Sequence, residues 1–195
     1  CIPTKALLKS AQVYEYAKHA ATYGINVENP TPNFGGVITR SRGVADKMSK
    51  GIQFLMKKNK IDVIMGTGKL IAATKMEVTA ADGTKQIVEA KNIIIATGGR
   101  ARALPTMPID GKKIVGYREA MVLPEQPRSM IVCGSGAIGS EFAYFYNSMG
   151  TKVTMVEFMP RLVPVEDEDI SKELEKNFKK QGMTIMTSSE VLSVD

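Results

Sequence analysis

The stretch Ser129–Glu157 decides the fold, and it reads SMIVCGSGAIGSEFAYFYNSMGTKVTMVE. Its first five residues are mostly apolar, as in a strand, and they run directly into the turn Gly-Ser-Gly-Ala-Ile-Gly. The spacing of apolar residues then predicts a helix over 137–149 and a second strand over 152–157. A strand, a G-x-G-x-x-G turn, a helix and a strand in this order favour a parallel sheet with a right-handed crossover.

Three glycines and a later acid in this stretch predict a dinucleotide site. Gly134 permits a tight turn, Gly136 lets a pyrophosphate approach the backbone, and Gly139 lets the helix pack close to the strand. The start of the helix offers free N–H groups and partial positive charge to the phosphates. Glu157 follows Gly134 by 23 residues, where a carboxylate accepts both ribose hydroxyls of an adenosine and repels a 2′-phosphate. The pattern favours NAD over NADP, with Arg161 as a counter-indication and a glycine-rich turn without ligand as the alternative.

The alternation of helices and strands continues on the carboxyl-terminal side. A helix is predicted over 167–181 and a third strand over 183–187, which extends the order to β-α-β-α-β. On the amino-terminal side, prolines punctuate residues 100–128 and indicate a connector. We therefore predict two domains, over residues 1–125 and 126–195.

The first predicted domain begins with helices and continues with short strands. Apolar periodicity and turn signals give the following prediction. The helices cover 4–23 and 37–59, and the strands cover 61–65, 69–73, 75–79, 86–90 and 92–96, with a hairpin turn at 81–84. The fold class is therefore α/β, with a β-meander in the first domain.

Composition excludes several classes of protein. The chain has 195 residues, 44% hydrophobic and 24% charged, unlike a disordered, collagen-like or coiled-coil protein. No apolar run is long enough for a transmembrane helix, and the first residues do not form a signal peptide. The net charge of +6 is spread along the chain, which favours solvated helix faces over a nucleic-acid surface. The two cysteines, Cys1 and Cys133, form no secreted disulfide framework, so we expect a cytoplasmic protein.

The first residues, Cys1-Ile2-Pro3-Thr4-Lys5, form a second informative segment. Pro3 suits the start of a helix, and the positive end of a helix favours the thiolate form of Cys1. Lys5 adds positive charge one turn further on. These residues indicate a reactive sulfur, with a cysteine of no special role as the alternative. The single histidine, His19, is expected on a surface, and no metal site is predicted. A chain that begins with Cys is expected to be an interior piece of a longer protein.

These segments together resemble the flavoprotein disulfide reductases. Residues 1–8, CIPTKALL, resemble the end of the family's redox motif, in which two cysteines are separated by four residues. Residues 94–98 resemble the Ala-Thr-Gly segment that ends the family's FAD domain, and 134–141 resemble its NAD loop. Met155-Val156-Glu157, with the Arg-Leu pair at 161–162, resembles the strand and turn that follow. The resemblance covers essentially the whole chain and implies parts of two Rossmann-like nucleotide-binding domains.

The resemblance assigns a role to each matching position. Cys1 corresponds to the cysteine next to the flavin, Lys5 to a lysine beside the flavin ring, and Glu141 to an acid near the nicotinamide. The remaining FAD positions are Gly68, Thr97, Gly98 and Gly99. The NAD positions are Gly134, Ser135, Gly136, Ala137, Ile138, Gly139, Ser140, Glu141 and Glu157.

The implied activity of the longer protein is the oxidation of dihydrolipoamide by NAD through a cysteine pair and FAD. The implied partners are a lipoyl domain of a 2-oxoacid dehydrogenase or glycine cleavage complex and a second copy of the chain, with neither nucleic acid nor membrane. The first cysteine, the first FAD glycine motif and a carboxyl-terminal His–Glu pair fall outside these 195 residues, so we expect this stretch alone to be inactive. The alternatives are a sibling flavoenzyme (mercuric reductase, glutathione reductase or a transhydrogenase) and a non-catalytic module that binds nucleotides or nucleic acid.

Overall fold

Two helices open the chain. In the computed structural model, which describes residues 1–194, α1 covers Ile2–Lys18 and a 3₁₀ turn follows over Ala20–Tyr23. Helix α2 covers Phe34–Lys58. It starts earlier than predicted because the Asn33 side chain accepts a hydrogen bond from the backbone N–H of Gly36 at 2.8 Å and so caps the first turn.

The described residues separate into two units. One unit combines residues 1–47 with the chain from 101 onward, and the other covers residues 48–100. The predicted domain boundary between residues 125 and 126 concerns a different division of the chain, and it stays a prediction.

The second unit contains the predicted β-meander. Its antiparallel strands are β1 (Thr67–Ala72), β2 (Lys75–Thr79) and β3 (Lys85–Glu89), in the order β1-β2-β3. The turn between β2 and β3 closes through the N–H of Ala80, which donates to the carbonyl of Thr84 at 2.8 Å. This part of the sequence prediction is confirmed to within about two residues.

Two predicted strands of the second unit are wrong. Residues 61–65 and 92–96 carry no strand assignment, although both runs are apolar and β-branched. A strand exists only as part of a ladder, and no described segment pairs with either run. Ile94 is accordingly 89% exposed.

The first unit carries the parallel sheet that the sequence predicted. A short helix, α3 (Tyr117–Ala120), lies in the region expected to be only connector. It is followed by β4 (Ser129–Cys133), α4 (Ala137–Ser148), β5 (Lys152–Val156), α5 (Glu168–Lys180) and β6 (Thr184–Met186). The strands pair in parallel in the order β4-β5-β6, with Val132 opposite Met155 and Met155 opposite Ile185. The α/β class and the β-α-β-α-β order are confirmed.

Helix α4 lies at the centre of the core of this unit. Its buried face contributes Phe142, Phe145 and Tyr146, which pack with Leu7 of α1 and Phe34 of α2. The buried Tyr146 hydroxyl donates to the carbonyl of Ala120 at 2.6 Å, and burial raises the pKa of this phenol. Helix α4 is thereby fixed to α1 and α3 while its amino-terminal end stays at the edge of the sheet.

Strand β4 is less buried than its sequence suggests. Ile131 is 68% exposed, and Cys133 at its end is also exposed. Met130 and Val132 pack against the core, whereas Ile131 and Cys133 lie on the other face of the strand. Partial desolvation still raises the pKa of the Cys133 thiol.

Candidate functional site

The glycine turn between β4 and α4 leaves an open space at the start of the helix. Gly134 adopts a φ of +94°, which favours glycine, and its N–H donates to the carbonyl of Val156 at 2.8 Å. A Cβ built on Gly134 or Gly136 meets no atom within 4 Å. Gly136 is the N-cap of α4, and no side chain caps this helix. The first N–H groups of α4 therefore have no side-chain acceptor.

Gly139 is required by close backbone packing. A Cβ at this position would lie 2.1 Å from the carbonyl oxygen of Gly134 and 3.3 Å from a methyl group of Val132. Only glycine lets α4 approach the turn and β4 this closely. The three glycines thus have the conformations and spaces that the sequence analysis assigned to them.

Glu157 lies immediately after β5 with its carboxylate turned toward the turn. One oxygen, Oε2, accepts from the N–H of Ser135 at 2.7 Å and from its hydroxyl at 2.6 Å. The other, Oε1, accepts from the N–H of Met159 at 2.8 Å. Burial by itself raises the pKa of this carboxyl, but the hydrogen bonds from Ser135, Met159 and Phe158 outweigh burial and hold it below its ordinary value. Glu157 is therefore an ionised, oriented carboxylate, although only 7% exposed.

Ser135 makes a connection that the sequence analysis missed. It is 0% exposed, and its hydroxyl accepts from the N–H of Val163 at 3.1 Å while it donates to Glu157. Its carbonyl accepts from the Ser140 hydroxyl at 2.9 Å. The sequence had marked Ser135 only as part of the loop. Ser135 and Glu157 lie 22 positions apart and meet through sheet register, so no local spacing signals the contact.

The remaining loop positions lie on the first turns of α4. Ala137 and Ile138 are exposed, Ser140 is buried, and Glu141 points away from the turn toward α1. The Glu141 carboxylate forms an ion pair with the ammonium group of Lys5. This pair joins the helix that follows the glycine turn to the helix that follows Cys1.

Cys1 lies at the start of α1. It is exposed and unpaired with another sulfur, it is the N-cap of α1, and its carbonyl accepts from the N–H of Lys5 at 3.0 Å. An open cleft of about 490 Å³ lies beside the Lys5–Glu141 pair between α1, α4 and α5. Its walls include Leu8, Lys9 and Tyr144. The structure thus brings the predicted thiol end of α1 and the predicted dinucleotide helix into contact through one ion pair.

The other predicted FAD positions lie in the second unit. Gly68 is in β1 opposite Val78, and a Cβ there would come within 2.7 Å of the Met76 sulfur. Thr97, Gly98 and Gly99 are exposed in an irregular segment, and Gly98 has a φ of +76°. Their role in binding FAD stays a prediction.

Two residues that the sequence analysis weighed, Arg161 and His19, have ordinary environments. Arg161 donates to the carbonyl of Pro164 at 3.1 Å. His19 is exposed, and its Nδ1 lies 2.9 Å from the carbonyl of Glu15. Among residues 1–194, no cluster of three or more His, Cys, Asp or Glu side chains could hold a metal ion. None of the helices described there is long and apolar enough to cross a membrane.

Comparison with protein families identifies the family of the chain. The family described as pyridine nucleotide-disulphide oxidoreductase matches residues 1–195. The chain belongs to this family. Such oxidoreductases combine a pyridine nucleotide with disulfide chemistry, which is the pairing that α4 and α1 suggest.

Curated members of the family are similar to the chain over its whole length. The dihydrolipoyl dehydrogenase of Chlorobaculum tepidum is 46% identical over 194 residues, covering 100% of this chain and 41% of that protein. The dihydrolipoyl dehydrogenase of Zymomonas mobilis is 46% identical over 189 residues, covering 97% of this chain and 41% of that protein. The chain therefore spans about two fifths of the length of these relatives.

Solved structures show the same arrangement of elements. LpdA from Mycobacterium tuberculosis matches with a TM-score of 0.89 at 30% identity, over 100% of this chain and 43% of that one. The HOCl-induced flavoprotein disulfide reductase RclA from Escherichia coli matches with a TM-score of 0.79 at 26% identity, over 99% of this chain and 40% of that one. The predicted class, with parts of two Rossmann-like domains, is therefore confirmed.

Proposed function

We propose that the chain is the part of a dihydrolipoyl dehydrogenase that carries the flavin-side cysteine and the first half of the NAD site. The longer protein would oxidise protein-bound dihydrolipoamide to the disulfide and reduce NAD⁺ to NADH with release of a proton. The observation that carries this proposal is the Lys5–Glu141 ion pair. It couples the helix that starts at the thiol to the helix that starts at the glycine turn.

The residues at the glycine turn fit a dinucleotide. The space beside Gly134 and Gly136 is open at the uncapped start of α4, where a pyrophosphate would accept hydrogen bonds from backbone N–H groups. The ionised Glu157 carboxylate would accept the ribose hydroxyls and repel a 2′-phosphate. Arg161 already donates to a backbone carbonyl, which supports NAD over NADP.

The residues of α1 fit a flavin neighbour. Cys1 is exposed at the positive end of a helix, where a thiolate is favoured, and Lys5 supplies a second positive charge one turn later. The resemblance to the flavoprotein disulfide reductases assigns Gly68, Thr97, Gly98 and Gly99 to FAD as well. Bound FAD and NAD would supply the two-electron redox chemistry that links the thiols to the nicotinamide.

The chain itself contributes three tasks to this chemistry. Cys1 would present the flavin-side sulfur of a cysteine pair, whose disulfide the substrate dithiol reduces by thiol–disulfide exchange through a thiolate. Lys5, held by Glu141, keeps positive charge near that sulfur. The glycine turn and Glu157 orient the dinucleotide at the other end of α4.

The proposed setting follows from the same resemblance. The substrate would be a lipoyl group on a 2-oxoacid dehydrogenase or glycine cleavage complex, and the active form would be a homodimer. The two cysteines of the sequence, Cys1 and Cys133, form no secreted disulfide framework, which suits the reducing cytoplasm.

A substrate panel tests this proposal against the sibling flavoenzymes. Full-length protein is assayed with dihydrolipoamide and NAD⁺, with glutathione disulfide and NADPH, and with Hg²⁺ and NADPH. We expect rapid NADH formation with dihydrolipoamide and rates at least about 100-fold lower with the other pairs. The 2′-phosphate of NADPH and a substrate other than dihydrolipoamide would each weaken binding of the transition state. A protein that prefers NADPH with either of the other substrates contradicts the proposal.

A further inference from the structure

Ser135 differs from the other positions of the glycine turn because its buried hydroxyl both donates and accepts a hydrogen bond within the protein. The side chain is 0% exposed. Its hydroxyl donates to Oε2 of Glu157 at 2.6 Å and accepts from the N–H of Val163 at 3.1 Å. A hydroxyl with its single proton on Glu157 has no donor left for a nucleotide. Any influence of this hydroxyl on a ligand must therefore pass through Glu157 or through the segment around Val163.

The Val163 segment is held in an unfavourable conformation by these contacts. Val163 adopts a φ of +39°, a region that β-branched residues rarely enter. Its N–H reaches both the hydroxyl of Ser135 and, at 3.3 Å, the carbonyl of Ser135. Leu162 beside it is fully buried, so the segment is anchored in the core. A strained backbone conformation persists only where surrounding contacts hold it in place. The hydrogen bonds to Ser135 and the burial of Leu162 therefore fix the position of this loop.

The Glu157 carboxylate is held from both ends by these neighbours. Met159 donates to Oε1 from the loop side, and Ser135 donates twice to Oε2 from the glycine turn. A carboxylate pinned at both oxygens cannot rotate without breaking a charge-assisted hydrogen bond. Its negative charge is consequently fixed at the end of β5, 22 residues from the serine that holds it.

We propose that Ser135 is a positioning residue whose hydroxyl fixes the Glu157 carboxylate and thereby sets the preference of the site for NADH over NADPH. This inference rests on the proposed dinucleotide site. A fixed carboxylate accepts the ribose hydroxyls and stands against a 2′-phosphate. A carboxylate freed from the Ser135 hydroxyl turns aside, so it binds the ribose less well and repels the phosphate less strongly.

The test measures dissociation constants for NADH and NADPH by nucleotide fluorescence in the full-length protein. The variants are S135A, E157Q, the double variant S135A/E157Q, and S41A as a matched control. Ser41 is also 0% exposed, and its hydroxyl donates only to the carbonyl of Ile38, at 2.7 Å in α2. Thermal midpoints and circular dichroism establish that each variant is folded. The variant S135C, of nearly the same size but with a weak donor, replaces S135A if S135A does not fold.

We expect S135A to weaken NADH binding about tenfold, the loss of one charge-assisted hydrogen bond. NADPH binding should change less than about threefold, so the preference ratio falls. In the E157Q background, adding S135A should change NADH binding by less than about twofold, because Ser135 acts through Glu157. S41A should bind as the unaltered protein does.

Two results overturn the inference. One is an unchanged NADH-to-NADPH ratio in S135A, and the other is a full additional loss when S135A is added to E157Q. A different failure concerns the proposed function: if the unaltered, folded protein binds neither nucleotide, the dinucleotide site itself is wrong.

Discussion

Lys5 of α1 and Glu141 of α4 form an ion pair across 136 positions of sequence. The Lys5 side chain is 65% exposed, so the pair contributes little to stability. The pair instead holds the first turn of α1, which follows Cys1, against the first turns of α4, which follow the glycine loop. The proposed electron path begins at one of these helix ends, and the proposed dinucleotide lies at the other.

We predict that E141Q keeps the protein stable and slows its chemistry. The thermal midpoint should change by less than about 2 °C, since an exposed ion pair contributes at most about 1 kcal/mol. The rate of dihydrolipoamide-dependent NADH formation should fall about tenfold or more, because Lys5 loses the partner that orients its charge. Steady-state kinetics and a thermal melt on the same sample separate the two effects. A large drop in midpoint with unchanged kcat would show that the pair is purely structural.

Two glycine variants distinguish an effect on the packing of the fold from an effect on NADH binding. G139A places a Cβ against the carbonyl of Gly134, and we expect it to destabilise the fold by about 2 kcal/mol or more. G136A places a Cβ in open space, so its stability should change by less than about 0.5 kcal/mol. NADH affinity should nevertheless fall at least about tenfold in G136A, because the methyl group occupies the approach to the helix start. Denaturant unfolding and NADH titration check both variants, and tight NADH binding by G136A would argue against the pyrophosphate position.

The contribution of Glu157 to stability should depend on pH. Its pKa is lowered in the folded state, so ionised Glu157 stabilises the fold above the pKa of the unfolded chain, and this stabilisation disappears as pH falls through the folded pKa. E157Q places an amide NH₂ against donors of Ser135 or Met159. We expect it to be less stable by about 1–3 kcal/mol at pH 7, and this difference should shrink as pH falls below the ordinary pKa of a glutamate toward the lowered folded pKa of Glu157.

Urea unfolding of E157Q and of the unaltered protein at pH 7, at about pH 5 and at about pH 3 measures this difference. E141Q is a suitable control, because Glu141 makes an exposed ion pair rather than buried hydrogen bonds. A stability gap that does not depend on pH would show that Glu157 is not ionised in the folded protein.

Removing the hydroxyl of Tyr146 should lower the stability of the fold without changing the residues of either proposed cofactor site. The hydroxyl donates to the buried carbonyl of Ala120 at 2.6 Å, so Y146F leaves that carbonyl without its donor. We expect a loss of about 1 kcal/mol and unchanged NADH affinity. Urea unfolding and NADH titration measure the two quantities. A stability equal to that of the unaltered protein would mean that solvent replaces the lost donor.

The sequence predicted those parts of the fold that depend on neighbouring residues. The turn at Gly134, the helix after it and the β-meander all carry local signals, namely glycine spacing, apolar periodicity and a hairpin turn. The strands predicted at 61–65 and 92–96 were wrong because a strand also needs a neighbouring strand to pair with. An apolar run in the sequence does not show whether such a neighbour is present.

The same distinction applies to the candidate site. Glu157 and the three glycines could be assigned from their spacing, since each position has its own physical requirement. The hydrogen bonds between Ser135 and Glu157 could not, because they arise from the register of β4 against β5. The contact between Lys5 and Glu141 likewise depends on how α1 packs on α4, although the resemblance to the disulfide reductases placed both residues near the cofactors.

We propose that Cys1 is an obligatory carrier of electrons on the way from dihydrolipoamide to NAD. The most direct test is the initial rate of NADH formation from dihydrolipoamide by full-length protein, compared between C1S and C133S. Cys133 is the matched control, because its sulfur is also exposed and free. We expect a loss of at least about 1,000-fold in C1S, since a hydroxyl cannot take part in thiol–disulfide exchange, and near-normal rates in C133S. A C1S variant that retains more than about a tenth of the activity would show that Cys1 does not carry the electrons.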